Sequence, residues 1–180
     1  AEISSRGEKL PHYTEVGVGF SKMCLTPMLE YGRQALEDNK KGVATEALEQ
    51  VVLAIVVTTA IVSIFLTRDF TPDYNSGLAH ACFYALTAYP VIEKEHLHGE
   101  VVGFGVLYAL LVDGQQEEFE KIYALNKELG LPVRIADIGI TEEQFFETMD
   151  RIPQMSDIRH YPYAVTKEML MQAYETIEQL

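Results

Sequence analysis

VVLAIVVTTAIVSIFL, residues Val51 to Leu66, carries no charge over sixteen positions, and its reading decides the fold. The β-branched Val and Ile would suit a strand, but buried strands run to about eight residues and this run is twice that. A membrane-spanning helix needs about 20 apolar residues. This run is shorter and is bracketed by Glu46, Glu49, Arg68 and Asp69. The expectation is a central helix, Ala44 to Leu66, buried on all sides, with no membrane span.

Upstream, Tyr13 to Asp38 reads as a helical region weakened at Gly17, Gly19 and Thr26-Pro27, where a kink or break is expected. Gly42 ends the connection. Downstream, Thr67 to Ser76 reads as a loop, with Asn75 or Ser76 as the N-cap of a helix from Gly77 to Ala88 that Tyr89-Pro90 closes. Ile92 to Leu97 forms a short polar link to a start near His98, after which Val101 to Val112 is almost wholly apolar. Gly103 and Gly105 cost a helix about 1 kcal/mol each against Ala, so they point to close approach of another helix or a ligand.

Asp113-Gly114 terminates that segment, and Gln115 to Leu129 follows as a surface helix with Phe119, Ile122, Tyr123 and Leu125 on one stripe. Gly130 and Pro132 stop it. Thr141-Glu142-Glu143-Gln144 is a capping box opening Thr141 to Arg151, and Thr166 caps a last amphipathic helix running to Leu180. With almost no credible strand, the chain reads as one all-α domain, residues 1–180, of about six to eight helices.

At 180 residues, 48% hydrophobic and 23% charged, the chain suits one globular core. Its net charge is −13, and its densest basic point is only Lys40-Lys41, so it lacks the electrostatic footprint of a nucleic-acid binder. Cys24 and Cys82 show no C-x-x-C spacing and read as reduced core thiols. The start, AEISSRGEKL, has no apolar signal region, which points to the cytoplasm, and it lacks an initiator Met, as a fragment or processed chain would.

Chemistry concentrates at His80 and at His98-Gly99-Glu100, eighteen residues on. Neutral imidazoles from two helices can fix zinc or iron, but a catalytic zinc normally has three protein ligands. Two are too few. His96 would diverge from His98 by about 200° on a helix, so it reads as an outward or supporting residue. Glu100 could orient His98 or cap the helix start, and the cap is the expected role. His12 has no partner in view. Phe83, Tyr84 and Phe104 read as core. Glu95-His96-Leu97-His98 is a lone E-x-x-H, half of what a di-iron bundle uses.

The segments SGLAHACFYALTAYP (Ser76 to Pro90) and HLHGEVVGFGVLYALLVDG (His96 to Gly114) resemble the C-terminal helical domain of the iron-containing alcohol dehydrogenase superfamily, whose fold is dehydroquinate synthase-like. The glycerol dehydrogenase-like branch is the best match. Gly130-Leu131-Pro132 and His160-Tyr161-Pro162 with Val165-Thr166 extend the likeness toward the C-terminus.

The resemblance implies that His80 and His98 hold a divalent zinc or iron, and that His160 reaches the cleft. It implies an alcohol dehydrogenase using NAD or NADP on a small alcohol, polyol or hydroxy-carbonyl substrate, commonly as a homo-oligomer. The metal would polarise the substrate oxygen while the nicotinamide exchanges the hydride. The family's third ligand, an Asp in a Gly-Asp motif, has no counterpart between Ala1 and His80, and spacing puts it just before Ala1. A glycine-rich nucleotide turn is also missing. The expectation is the metal-binding half of a two-domain oxidoreductase, silent by itself, or else a helical assembly domain derived from one. Phosphate-using relatives are disfavoured, because only Lys94 lies near the histidines in sequence.

Overall fold

A computed structural model describes residues 1–68, 71–72 and 74–180. The chain, expected to be a single domain, forms two compact units, Ala1–Asn75 and Ser76–Leu180. The all-α expectation holds: the only sheet among the described residues is a two-residue ladder, Thr67–Arg68 against Thr71–Pro72.

The first unit contains α1 (Glu2–Ser5), α2 (His12–Lys41), α3 (Glu46–Leu53) and α4 (Thr59–Leu66). α2 runs through Pro27 without the expected break. Its end is set by Gly42 at φ 68°, a left-handed geometry that costs glycine little, and Val43 N–H donates to Asp38 O at 3.0 Å. The next helix begins at once. Thr45 accepts from Leu48 N–H at 3.3 Å and donates to the buried Asp38 carboxylate at 2.6 Å, tying the end of α2 to the start of α3.

A π-helical turn, Ala54–Thr58, joins α3 to α4 in one rod from Glu46 to Leu66. The rod packs on α2 where Gly17 lets it close in, since a Cβ there would lie 2.8 Å from Leu66. The expectation of burial on all sides is wrong. Ala47, Ala54, Val62 and Leu66 are buried, whereas Val56 is 61% and Ile64 74% exposed. The physical reason is that α2 covers one stripe of a helix that is apolar all round. At 21 residues this rod is long and apolar enough to cross a membrane by length and composition alone, a test that helices packing on protein also pass. Asp69, one of its expected brackets, and part of the Thr67 to Ser76 loop lie outside the described residues.

The second unit contains α5 (Leu78–Leu86), α6 (Pro90–Glu95), α7 (His98–Val112), α8 (Gln116–Leu129), α9 (Glu142–Arg151) and α10 (Lys167–Glu178), with 3-10 turns at Ile135–Ile138, Ile152–Gln154 and Ser156–Ile158. α7 is the central element. Val101, Phe104, Leu107 and Tyr108 have no exposed surface, and Leu78 and Cys82 of α5, Phe119 of α8, Phe145 of α9 and Leu170 of α10 are buried with them. Phe104, Tyr108 and Phe145 form a ring cluster with centroids 5.0 to 6.0 Å apart. Each fully buried large apolar side chain contributes roughly 1.5–3 kcal/mol.

Gly105 shows why the helix tolerates its glycines: a Cβ there would fall 2.6 Å from the Ala79 carbonyl oxygen, so α7 reaches the backbone of α5 only because the side chain is missing. Gly103 has no such reason, since its nearest neighbour would be the Asn126 amide at 3.9 Å. The caps at Thr141 and Thr166 form as read, with hydroxyls accepting from Gln144 N–H and Met169 N–H at 3.3 Å. Asn75 and Ser76 do not cap α5. Asn75 donates instead to Ser63 Oγ at 3.1 Å, and Gly77 precedes the helix with Leu78 N–H donating to Tyr161 Oη at 3.2 Å. Pro90 opens α6 rather than leading into a polar link, because its ring suits a first helical turn.

Candidate metal centre

The approach of α7 to α5 at Gly105 and Ala79 brings His80 and His98 together: their ring centroids are 5.7 Å apart at an interplanar angle of 44°. His80 is the third residue of α5, half-buried, and His98 the first of α7, exposed. Burial holds the His80 imidazole below its ordinary pKa, the nearby His98 pushes the same way, and Asp157 opposes both. That direction favours the neutral imidazole, the form in which a nitrogen can ligate.

The surroundings are aromatic. Phe83 and Tyr84 share a face of α5 with His80 through i,i+3 and i,i+4 spacing. Phe83 meets the His98 ring edge to face at 4.4 Å, and Tyr84 lies 6.4 Å from His80. Tyr84 is 47% exposed, so its core reading is wrong, and Phe83 is half-buried against His98; Phe104 is fully buried as expected. Spacing from His80 was the signal that could have found the first two.

Of the other expected site residues, His96 and Glu100 form a second pair, with Nδ1 3.6 Å from the carboxylate. Glu100 also accepts from Leu97 N–H at 3.0 Å, so it caps α7 as read. The pair lines a cleft of about 700 Å³ with Tyr123, Lys127 and Arg134, and neither His80 nor His98 is among its lining residues. Folding therefore brings Lys127 and Arg134, far from His96 in sequence, to the lining of the same cleft. His160 follows the turn Ser156–Ile158 and is half-buried. Its neighbour Tyr161, read from sequence only as part of the resemblance, tethers the start of α5. His12, at the start of α2, sits 3.7 Å from Glu15 on the surface.

The donor set fits part of a metal site. Two imidazoles sharing one ion at N–metal distances of about 2.0–2.1 Å set their ring centroids roughly 5–6 Å apart, and the observed separation falls in that range. Among the described residues, no group of three or more His, Cys, Asp or Glu is placed to hold an ion.

No family model matches the chain. Individual relatives do. Glycerol dehydrogenase of Escherichia coli O6:H1 is 31% identical over 131 residues, which cover 72% of this chain and 33% of that protein. Glycerol dehydrogenase of Thermotoga maritima is 30% identical over 158 residues, 82% of this chain and 40% of its own. The crystal structure of a probable glycerol dehydrogenase from Sinorhizobium meliloti shares the fold at a TM-score of 0.79, with 21% identity, over 99% of this chain and 50% of its own. The chain belongs to the iron-containing alcohol dehydrogenase superfamily. Within it, the chain falls in the glycerol dehydrogenase-like branch and corresponds to the helical C-terminal part, spanning about a third to a half of the length of the curated relatives it matches.

Proposed function

We propose that this chain is the metal-binding, substrate-facing part of a nicotinamide-dependent oxidoreductase acting on glycerol or a similar small polyol or hydroxy-carbonyl compound. The observation that carries the reading is the meeting of His80 and His98 across α5 and α7. Both imidazoles would hold a divalent zinc or iron, with Phe83 and Tyr84 excluding water from one flank. A bound divalent ion supplies Lewis acidity toward an alcohol oxygen, and NAD or NADP, bound by a nucleotide domain, exchanges the hydride. His80, held neutral, keeps a lone pair available, and the exposed His98 faces whatever enters. A third ligand is required, so the chain by itself is catalytically silent and binds metal weakly. A cytoplasmic, homo-oligomeric setting accompanies this reading, in keeping with the free Cys24 and Cys82.

Calorimetry with zinc on the chain and on His80→Ala and His98→Ala tests it. Weak binding that either substitution abolishes is the expected result, and binding that survives both overturns the assignment. The second reading, a non-catalytic assembly domain, is favoured by the lack of a third donor among the described residues and by the exposed apolar rod. It predicts no histidine-dependent metal uptake together with stable self-association in sedimentation.

A further inference from the structure

We infer that Glu100 is a positioning residue for His98, acting through the first turn of α7; this rests on the metal reading above. His98 needs such support because it is the first residue of its helix and exposed, so packing alone does not fix its ring. Two interactions bear on its placement. Phe83 holds the ring itself, edge to face at 4.4 Å. Glu100 holds the turn that carries it, accepting from Leu97 N–H at 3.0 Å while its carboxylate lies 3.6 Å from His96 Nδ1.

The preceding residues make this turn dependent on Glu100. His96 and Leu97 are extended, at ψ 147° and 145°, and they are the whole connection between α6 and α7. Leu97 stands at the N-cap, yet its side chain has no oxygen to accept from the free N–H groups of the helix start. Only the reciprocal half of a capping box is possible, and Glu100 supplies it. The same carboxylate lies close to His96, a largely buried side chain that opens the connection to the turn. Without Glu100 the start of α7 frays, and His98 is the first residue to leave helical geometry and its distance from His80.

Partners behind a metal ligand typically change affinity 10–100-fold when removed. The test uses the full chain and two readouts. Free of metal, ring-to-ring NOEs between Phe83 and His98 are expected in the wild type and in Glu100→Gln, whose amide oxygen still accepts from Leu97 N–H, and are expected to vanish in Glu100→Ala. With Co²⁺ followed by its visible absorption, Glu100→Ala should bind about tenfold more weakly and Glu100→Gln within about twofold of wild type. Glu100→Ser, too short to reach Leu97, serves if the alanine variant does not fold. Thr141→Ala removes a cap on α9 and controls for general destabilisation: its melting temperature should fall while both readouts stay unchanged. Unchanged NOEs and unchanged Co²⁺ affinity in Glu100→Ala overturn the inference. If Co²⁺ uptake instead ignores His80→Ala and His98→Ala, the metal reading has failed, and the NOE comparison still decides what Glu100 does to His98.

Discussion

The two units spend similar apolar composition in opposite ways. In the second, α7 is apolar on every side and every side finds a neighbour, so Phe104, Leu107 and Tyr108 are completely buried. In the first, the Glu46–Leu66 rod is equally apolar, yet Val52, Val56, Val57 and Ile64 remain exposed. Hydrophobicity sets what a helix can bury, and the number of neighbours sets what it does bury. Both paired histidines belong to the unit with the more complete core, where α5 and α7 pack closely enough to bring their rings 5.7 Å apart.

The largest break in this comparison should come from Phe104→Ala, which empties the centre of the second unit and is expected to cost about 3–5 kcal/mol in denaturant unfolding. A cost near zero would mean that this core is loose. Next, Gly105→Val drives a side chain into the Ala79 backbone, so a loss of about 1–3 kcal/mol is expected, together with loss of histidine-dependent zinc binding as the two helices part.

The cysteines sharpen the contrast without a mutation. Burial pushes the Cys82 thiol up to about 12, while Cys24 in the first unit is half-buried. A thiol reagent at pH 8 should therefore label Cys24 alone, and Cys82 only after denaturation. Because the folded value lies above the ordinary thiol value of 9.0, the stability that Cys82 contributes is complete below pH 9 and declines as pH rises from 9 toward 12. Smallest of all, Ile64→Lys should change stability by less than about 0.5 kcal/mol while reducing binding of an apolar dye. A loss above about 2 kcal/mol would show that this face is covered in solution.

Much of the second unit was legible in sequence because its signals are local. Thr141, Thr166, Gly130 and Asp113-Gly114 punctuate helices through hydrogen bonds within a few residues, and the alternation of apolar and charged positions in α8 needs no partner to be read. The histidine pair was legible as a spacing and a resemblance. What escaped is what depends on distant chain: Tyr161 at the start of α5, the charge of Asp157 acting on His80, and the cleft that His96 shares with Lys127 and Arg134. The rod was misjudged for the same reason, since uniform apolarity cannot say how many neighbours will arrive.

The hydrogen bond from Leu78 N–H to Tyr161 spans 83 positions of chain. At synthesis rates of about 5–20 residues per second, the helix bearing His80 leaves the ribosome roughly 4–17 s before the residue that completes its first turn. Gly105 and its contact with Ala79 emerge well within that interval. A nascent chain therefore brings its two histidine helices together early and receives its last tether late, so a chain cut short between Gln115 and His160 carries both imidazoles while the start of α5 stays untied.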